Sequence, residues 1–205
     1  MKKAAAILVL ATLGALAGEA MAQQQGPWLV RARVVNIDPA NKSDAGGPLA
    51  LPANAITVSS KAIPEVDISY FLTPNIAAEL ILTYPQEHDV YLSGSKIGTF
   101  KHLPPTLTVQ YHFAPAAQFS PYVGAGVNYT NISKVNLLNG GATLDNHSFG
   151  LALQAGVDFK LDKNWLLNLD VKKVQIRSDV YSGGATISRV KVDPLLVGLG
   201  VGYRF

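Results

Sequence analysis

Residues 106–113 read TLTVQYHF, and two unlike surfaces alternate along them. Leu107, Val109, Tyr111 and Phe113 fall on one side, and Thr106, Thr108, Gln110 and His112 on the other. A period of two belongs to a β-strand, whose successive side chains point to opposite faces. The same period recurs outward in both directions. In 28–38, Val30, Ala32 and Val34 oppose Arg31 and Arg33; in 64–72, Val66, Ile68, Tyr70 and Leu72 oppose Glu65, Asp67 and Ser69, with Phe71 the exception. In 76–84, Ile76, Ala78, Leu80, Leu82 and Tyr84 oppose Ala77, Glu79, Ile81 and Thr83. Further alternating runs occupy about 122–129, 149–160, 165–172 and 195–205.

Composition narrows the class. Of 205 residues only 15% are charged and 48% are hydrophobic, with 18 glycines and no cysteine. That balance excludes a disordered charged chain, a coiled coil, disulfides and thiolate chemistry. A net charge of +3 is too small and too scattered for nucleic-acid binding, so no such partner is expected. Lys2 and Lys3, the apolar run 4–17 and Ala20-Met21-Ala22 read as a secretory signal peptide over 1–22, leaving 23–205 as a single domain.

Eight alternating runs are expected as eight strands, with short connections at 73–74, 114–120 and 162–164 and long ones at about 39–61, 85–102, 132–147 and 178–190. Short turns on one side and long loops on the other suit an all-β, antiparallel transmembrane barrel of the bacterial outer membrane. Closure is required, because an open sheet edge in lipid leaves backbone groups unpaired. A soluble barrel also alternates, but its polar set would meet water. Here that set holds small residues such as Gly124, Gly156 and Gly200, with Arg31, Arg33, Lys160, Lys172 and Arg204 matched in number by Glu65, Asp67, Glu79, Asp158 and Asp170. Equal opposite charges suit a narrow lumen, where unpaired charge is costly. Trp28, Tyr70, Phe113, Trp165, Tyr203 and Phe205 cluster near the short-turn end, as an interfacial aromatic girdle does. Outer-membrane lipid is therefore the expected surroundings.

Several stretches carry a resemblance: WLVRAR (28–33), NIAAEL (75–80), KHLPPTLTVQYHF (101–113), PYVGAGVNYT (121–130), FGLALQAGVDF (149–159), NLDV (168–171) and the terminal GYRF (202–205). Together they resemble the OmpW family of small outer-membrane proteins, across the whole mature chain. The resemblance implies an eight-stranded barrel with periplasmic termini and a narrow, largely apolar passage. It also implies uptake of small hydrophobic or uncharged molecules, with a sideways exit into the membrane.

Candidate site residues follow from strand direction. Val35, Ile37, Ile81, Val174 and Ile176 are inward and apolar in the loop-side half, and are expected to line a funnel. Arg31, Arg33, Glu65, Asp67, Glu79, Asp170 and Lys172 are expected as a charge network below it. The funnel competes with a plainly packed interior, since eight strands enclose just enough room for side chains. Pro104 and Pro105 cannot donate to a ladder. They mark either a lateral exit between the third and fourth strands or simply a strand start. Tyr203 and Phe205 are expected to be read by the barrel-assembly machinery. Of the histidines, His112 falls on an inward strand position, whereas His88, His102 and His147 read as loop or rim; no spacing suggests a metal, and no cofactor is expected. The glycine run 198–202 precedes no helix and is no nucleotide loop.

The leading function is a passive channel or carrier for small apolar or uncharged solutes. A lipid-modifying enzyme is the alternative; Asp145, His147 and Ser148 are its local candidates, too close in sequence for a triad without strand partners. A sealed structural or surface-interaction barrel is the third reading, and the sequence does not separate it from a narrow channel.

Overall fold

Buried and exposed residues alternate without a break along Trp165–Val174, and nearly so along the other long strands of the computed structural model, which describes residues 26–205. The signal peptide expected over 1–22 lies outside the described residues. Among the described residues fifteen strand segments form: β1 (Trp28–Asp38), β2 (Lys42–Ser43), β3 (Ile56–Val58), β4 (Lys61–Phe71), β5 (Ile76–Leu82), β6 (Gln86–Leu92), β7 (Ser95–Leu103), β8 (Thr106–His112), β9 (Phe119–Leu137), β10 (Ala142–Leu144), β11 (His147–Lys160), β12 (Trp165–Val174), β13 (Arg177–Ser182), β14 (Ala185–Lys191) and β15 (Leu195–Arg204).

They make eight antiparallel staves that close on themselves. β1 pairs on one side with β4 and on the other with β15, so first and last strands seal the barrel. From β4 the ladder runs through β5, β8, β9, β11 and β12 to β15. Closure leaves no edge for lipid to strip of partners. Large apolar side chains face outward along the staves, among them Val34, Leu107, Leu153 and Leu199. At the short-turn end the outward aromatics touch edge to face: Trp28 with Tyr70 at 4.8 Å, and Trp165 with Tyr203 at 5.0 Å between ring centroids. Tyr84 and Tyr129 form the opposite rim of this outward apolar band.

The long connections are not the irregular loops expected at 85–102 and 178–190. Hairpins β6–β7 and β13–β14 continue the wall beyond the band, pairing sideways with β3, β9, β10 and β2. β9 runs through both levels and ties them together. Phe71, the exception in its run, points inward, where the Arg204 guanidinium lies 3.8 Å over its ring.

Two inward glycines are required by closeness. A Cβ on Gly200 would stand 2.1 Å from the Ala32 carbonyl oxygen, and one on Gly156 would stand 2.4 Å from the Tyr122 ring tip. Such contacts let charged and aromatic side chains share a narrow lumen.

Candidate functional site

The lower lumen is a packed ionic layer. Arg31 and Asp67 face each other in register on β1 and β4, as do Arg33 and Glu65. Inward residues on adjacent strands are neighbours, and here they pair: Arg31 Nη1 to Asp67 Oδ1 at 3.0 Å, and Arg33 Nε to Glu65 Oε1 at 3.1 Å. Arg33 also meets Asp67, and lies 3.3 Å from Glu79 Oε1. Lys172 bridges Glu65 at 2.5 Å and Asp170 at 3.1 Å. Asp158 belongs to the layer too, taking Arg31 Nη2 at 2.7 Å from the far wall. Tyr122 Oη donates to Asp170 at 2.8 Å, and Thr108 donates to Glu79 at 2.9 Å. None of these charged residues is more than 4% exposed, so the layer is a floor.

Its composition extends the expected network by Asp158. Among the described residues the layer then holds three cations, Arg31, Arg33 and Lys172, against five carboxylates; Arg204 and Lys160, counted from sequence in the lumen as a whole, sit apart, Arg204 over Phe71 and Lys160 on the Pro115 carbonyl. Charge balance therefore holds over the whole lumen but not within the layer. Leu29, Phe71, Ala77 and Leu166 pack a second, apolar seal at the short-turn end.

Above the floor is hydrocarbon. Val35, Ile37, Val174 and Ile176 are buried in one cluster with Ile63, Leu196 and the inward residues of the hairpins. Ile81 is buried but lies elsewhere: it is in register with Asp67, level with the floor. The funnel expected there is instead a chamber set higher, of about 50 Å³, lined by Ile56, Val58, Val90, Phe100, Ile132, Leu137, Val180, Ile187 and Val190 among others. Among the described residues Ser178 is its single polar side chain, and of the five expected lining residues Ile176 alone reaches it. The sequence reading missed this lining because it placed the hairpins in loops.

Between chamber and floor the wall is interrupted. The ladder between the third and fourth staves stops at Ile81–Thr106 and resumes at Gln86–His102. Residues 82–85 and 103–105 face each other without ladder pairs, and three prolines, Pro85, Pro104 and Pro105, stand among them. Side chains bond the carbonyls beside the break. Asn128 Nδ2 donates to both Pro104 O and Pro105 O at 3.2 Å, and Gln86 Nε2 donates to Tyr84 O at 2.8 Å. On the β9 side the wall stays joined, through Tyr129 N to Pro105 O at 3.1 Å.

His88 and His102, placed at loop or rim by sequence, are buried on the inner face of β6–β7, stacked at 4.9 Å and 10°. His112 is inward, beside Phe71 and Tyr122. Asp145, His147 and Ser148 are engaged separately: Asp145 accepts from Tyr181 Oη, Ser148 Oγ accepts from Arg177 N, and His147 stacks on Tyr129. Tyr203 and Phe205 pack edge to face at 4.9 Å on the outer wall, and Phe205 N donates to Trp28 O.

Comparison with known proteins agrees with this architecture. A profile of the OmpW family matches residues 24–205. The uncharacterized outer-membrane protein y4mB of Sinorhizobium fredii is 41% identical over 92% of this chain and 84% of its own. Outer membrane protein W of Vibrio cholerae is 34% identical, over 96% of this chain and 97% of its own. The dibenzothiophene metabolism operon protein PahQ of Pseudomonas aeruginosa is 26% identical over 89% of this chain and 90% of its own. Among solved structures, the outer membrane protein OprG of Pseudomonas aeruginosa superposes with a TM-score of 0.77 at 27% identity, covering 89% of this chain and 97% of that one. A closed eight-stave barrel with an outward apolar band, matched over nearly its whole length, places the chain in the bacterial outer membrane as a member of the OmpW family.

Proposed function

We propose that the barrel passes small hydrophobic or uncharged molecules from outside into the membrane, by way of the chamber and the gap at Pro104 and Pro105. One observation carries this reading: an all but wholly hydrocarbon chamber stands on a sealed ionic floor, beside an interrupted wall. An apolar solute gains by leaving water for such a chamber. It cannot gain by crossing the floor, where it would separate paired charges. The break in the third-to-fourth ladder offers a route to lipid that opens no further backbone bonds. PahQ, whose name ties it to metabolism of an apolar sulfur heterocycle, supports the solute class. Val35, Ile37, Val174 and Ile176 then form the chamber's base, and the charge network keeps the axial path shut.

The test is uptake into proteoliposomes. Pro104→Ala with Pro105→Ala removes two ladder breakers beside the gap; residue 104 regains a backbone donor that can face the third stave, worth roughly 0.5–1.5 kcal/mol once bonded. Transfer of an apolar fluorescent probe into the bilayer should fall several-fold while the folded barrel persists. Unchanged transfer would favour the sealed surface barrel, for which the packed floor is the supporting observation.

A further inference from the structure

Among the described residues, five buried side-chain polar atoms lack a hydrogen-bond partner in the protein. Two, Arg33 Nε and Asp170 Oδ1, are ion-paired in the floor. The other three, Gln86 Oε1, His88 Nε2 and His102 Nδ1, sit together on hairpin β6–β7. Gln86 and His102 are in register, and His88 is opposite Phe100. Each of the three residues is at most 3% exposed.

Their chemistry is fixed by their other contacts. His88 Nδ1 lies 2.8 Å from Ser59 O. A carbonyl accepts only, so Nδ1 carries the proton and Nε2 of the neutral ring is a bare lone pair. The Gln86 amide nitrogen donates to Thr83 Oγ1 at 3.2 Å and to Tyr84 O at 2.8 Å. Flipping that amide would set oxygen against the Tyr84 carbonyl, so Oε1 is a second bare acceptor. His102 Nδ1 can serve as donor or acceptor, according to its tautomer. Phe100, Ile132 and Val90 flank the group, and all three line the chamber. On its other side lies the gap at 82–85 and 103–105.

We propose that Gln86, His88 and His102 form a way station for the hydroxyl group of an otherwise apolar molecule, a phenol or alcohol, between chamber and gap. This rests on the passage reading above and names a solute class within it. An O–H donates to a waiting lone pair and can accept in return from His102. A plain hydrocarbon leaves the acceptors unmet. A carboxylate brings only further lone pairs to them. Sites built around buried hydrogen-bonding groups discriminate in this way, because the wrong ligand leaves them unpaired.

The test uses the mature barrel in nanodiscs with three matched probes: 4-propylphenol, propylbenzene and 4-propylbenzoate. The phenol should bind about tenfold more tightly than propylbenzene, and the benzoate most weakly. In ¹⁵N-histidine spectra the phenol should shift His88 Nε2, and propylbenzene should leave it in place. In His88→Phe with His102→Phe, which keeps the ring stack and leaves Gln86 Oε1 as the one remaining acceptor of the three, phenol should lose most of its advantage over propylbenzene while propylbenzene is unaltered. Equal affinity for phenol and propylbenzene in the native protein would overturn the proposal, as would a His88 Nε2 signal held by water and indifferent to phenol. Those spectra decide the matter even if the double variant does not fold. If propylbenzene transfers and phenol has no advantage, the way station alone fails. If neither probe binds or transfers, the passage reading fails with it.

Discussion

Arg31 and Asp158 stand 127 residues apart in the chain and meet across the lumen through two hydrogen bonds, Nε to Oδ1 at 3.1 Å and Nη2 to Oδ2 at 2.7 Å. A two-pronged guanidinium–carboxylate contact fixes orientation as well as distance. It joins opposite walls of the barrel in a way the backbone ladder cannot.

Arg31→Met should therefore destabilise strongly. It leaves Asp158 buried without its cation and Asp67 with Arg33 alone, and breaking a buried pair costs roughly 3–5 kcal/mol. Denaturant unfolding in detergent, followed by the gel-mobility shift of folded against unfolded barrel, measures it. A loss below about 1 kcal/mol would mean that water fills the floor.

Ile81 and Ile176 should respond differently to the same charge. Ile81→Lys sets an ammonium level with Asp67, in a layer with three cations and five carboxylates. Ile176→Lys sets one among the hydrocarbon of the chamber. Probe transfer should collapse in the second variant and be largely kept in the first. Parallel measurement in proteoliposomes would show equal losses if the conduit ran past Ile81 instead.

Gly156→Ala should cost about 1–3 kcal/mol by overpacking. The new methyl meets the Tyr122 ring tip at 2.4 Å and the Leu169 carbonyl at 2.7 Å. Tyr122 cannot readily yield, because its hydroxyl is bonded to Asp170 and Asn168. Pairing the change with Tyr122→Phe should recover part of the loss, which a double-mutant cycle would quantify.

The β6–β7 hairpin should weaken in acid. Burial holds the His102 imidazole down to about 3, with His88 and Lys61 adding repulsion, against 6.5 for an ordinary histidine. Burial lowers His88 as well; its Ser59 hydrogen bond and Asp89 oppose the shift, and Lys61 adds to it. The unfolded hairpin thus binds protons that the folded one refuses. Its stability is complete above about pH 6.5 and declines as pH falls toward 3. Titration of the ring resonances should show His102 still neutral at about pH 5. The hairpin should loosen less between neutral and acid conditions in His102→Phe than in the native chain.

Deleting Phe205 should sharply reduce the amount of barrel reaching the outer membrane, as fractionation of expressing cells would measure. Phe205 closes the outward aromatic row with Tyr203, and its N–H is tied to Trp28 O. Normal assembly of the shortened chain would remove its role as an assembly signal.

The staves were legible because lipid imposes one demand along their whole length. An outward residue such as Leu107 or Leu199 must be apolar, so a period of two survives without interruption. The hairpins obey no such rule, and their registers shift at Val90/Tyr91, Thr99/Lys101 and Val180/Tyr181. Each irregularity breaks the alternation that marks a strand. A trace remained in Gln86, His88 and Val90 set against Glu87, Asp89 and Tyr91. Ile81 was misplaced for another reason: its inward face was readable, but its height depends on the stagger between staves. Pro104 and Pro105 were visible as ladder breakers, while Pro85 across the gap became meaningful only once the staves were aligned.

The closed floor has a meaning for the cell that makes this protein. An ion or a bulky polar drug taking the axial path would have to pry apart a buried layer of interlocked guanidinium and carboxylate groups. On the proposed reading, such a barrel would add an apolar route to the envelope without adding an aqueous one for ions or hydrophilic antibiotics.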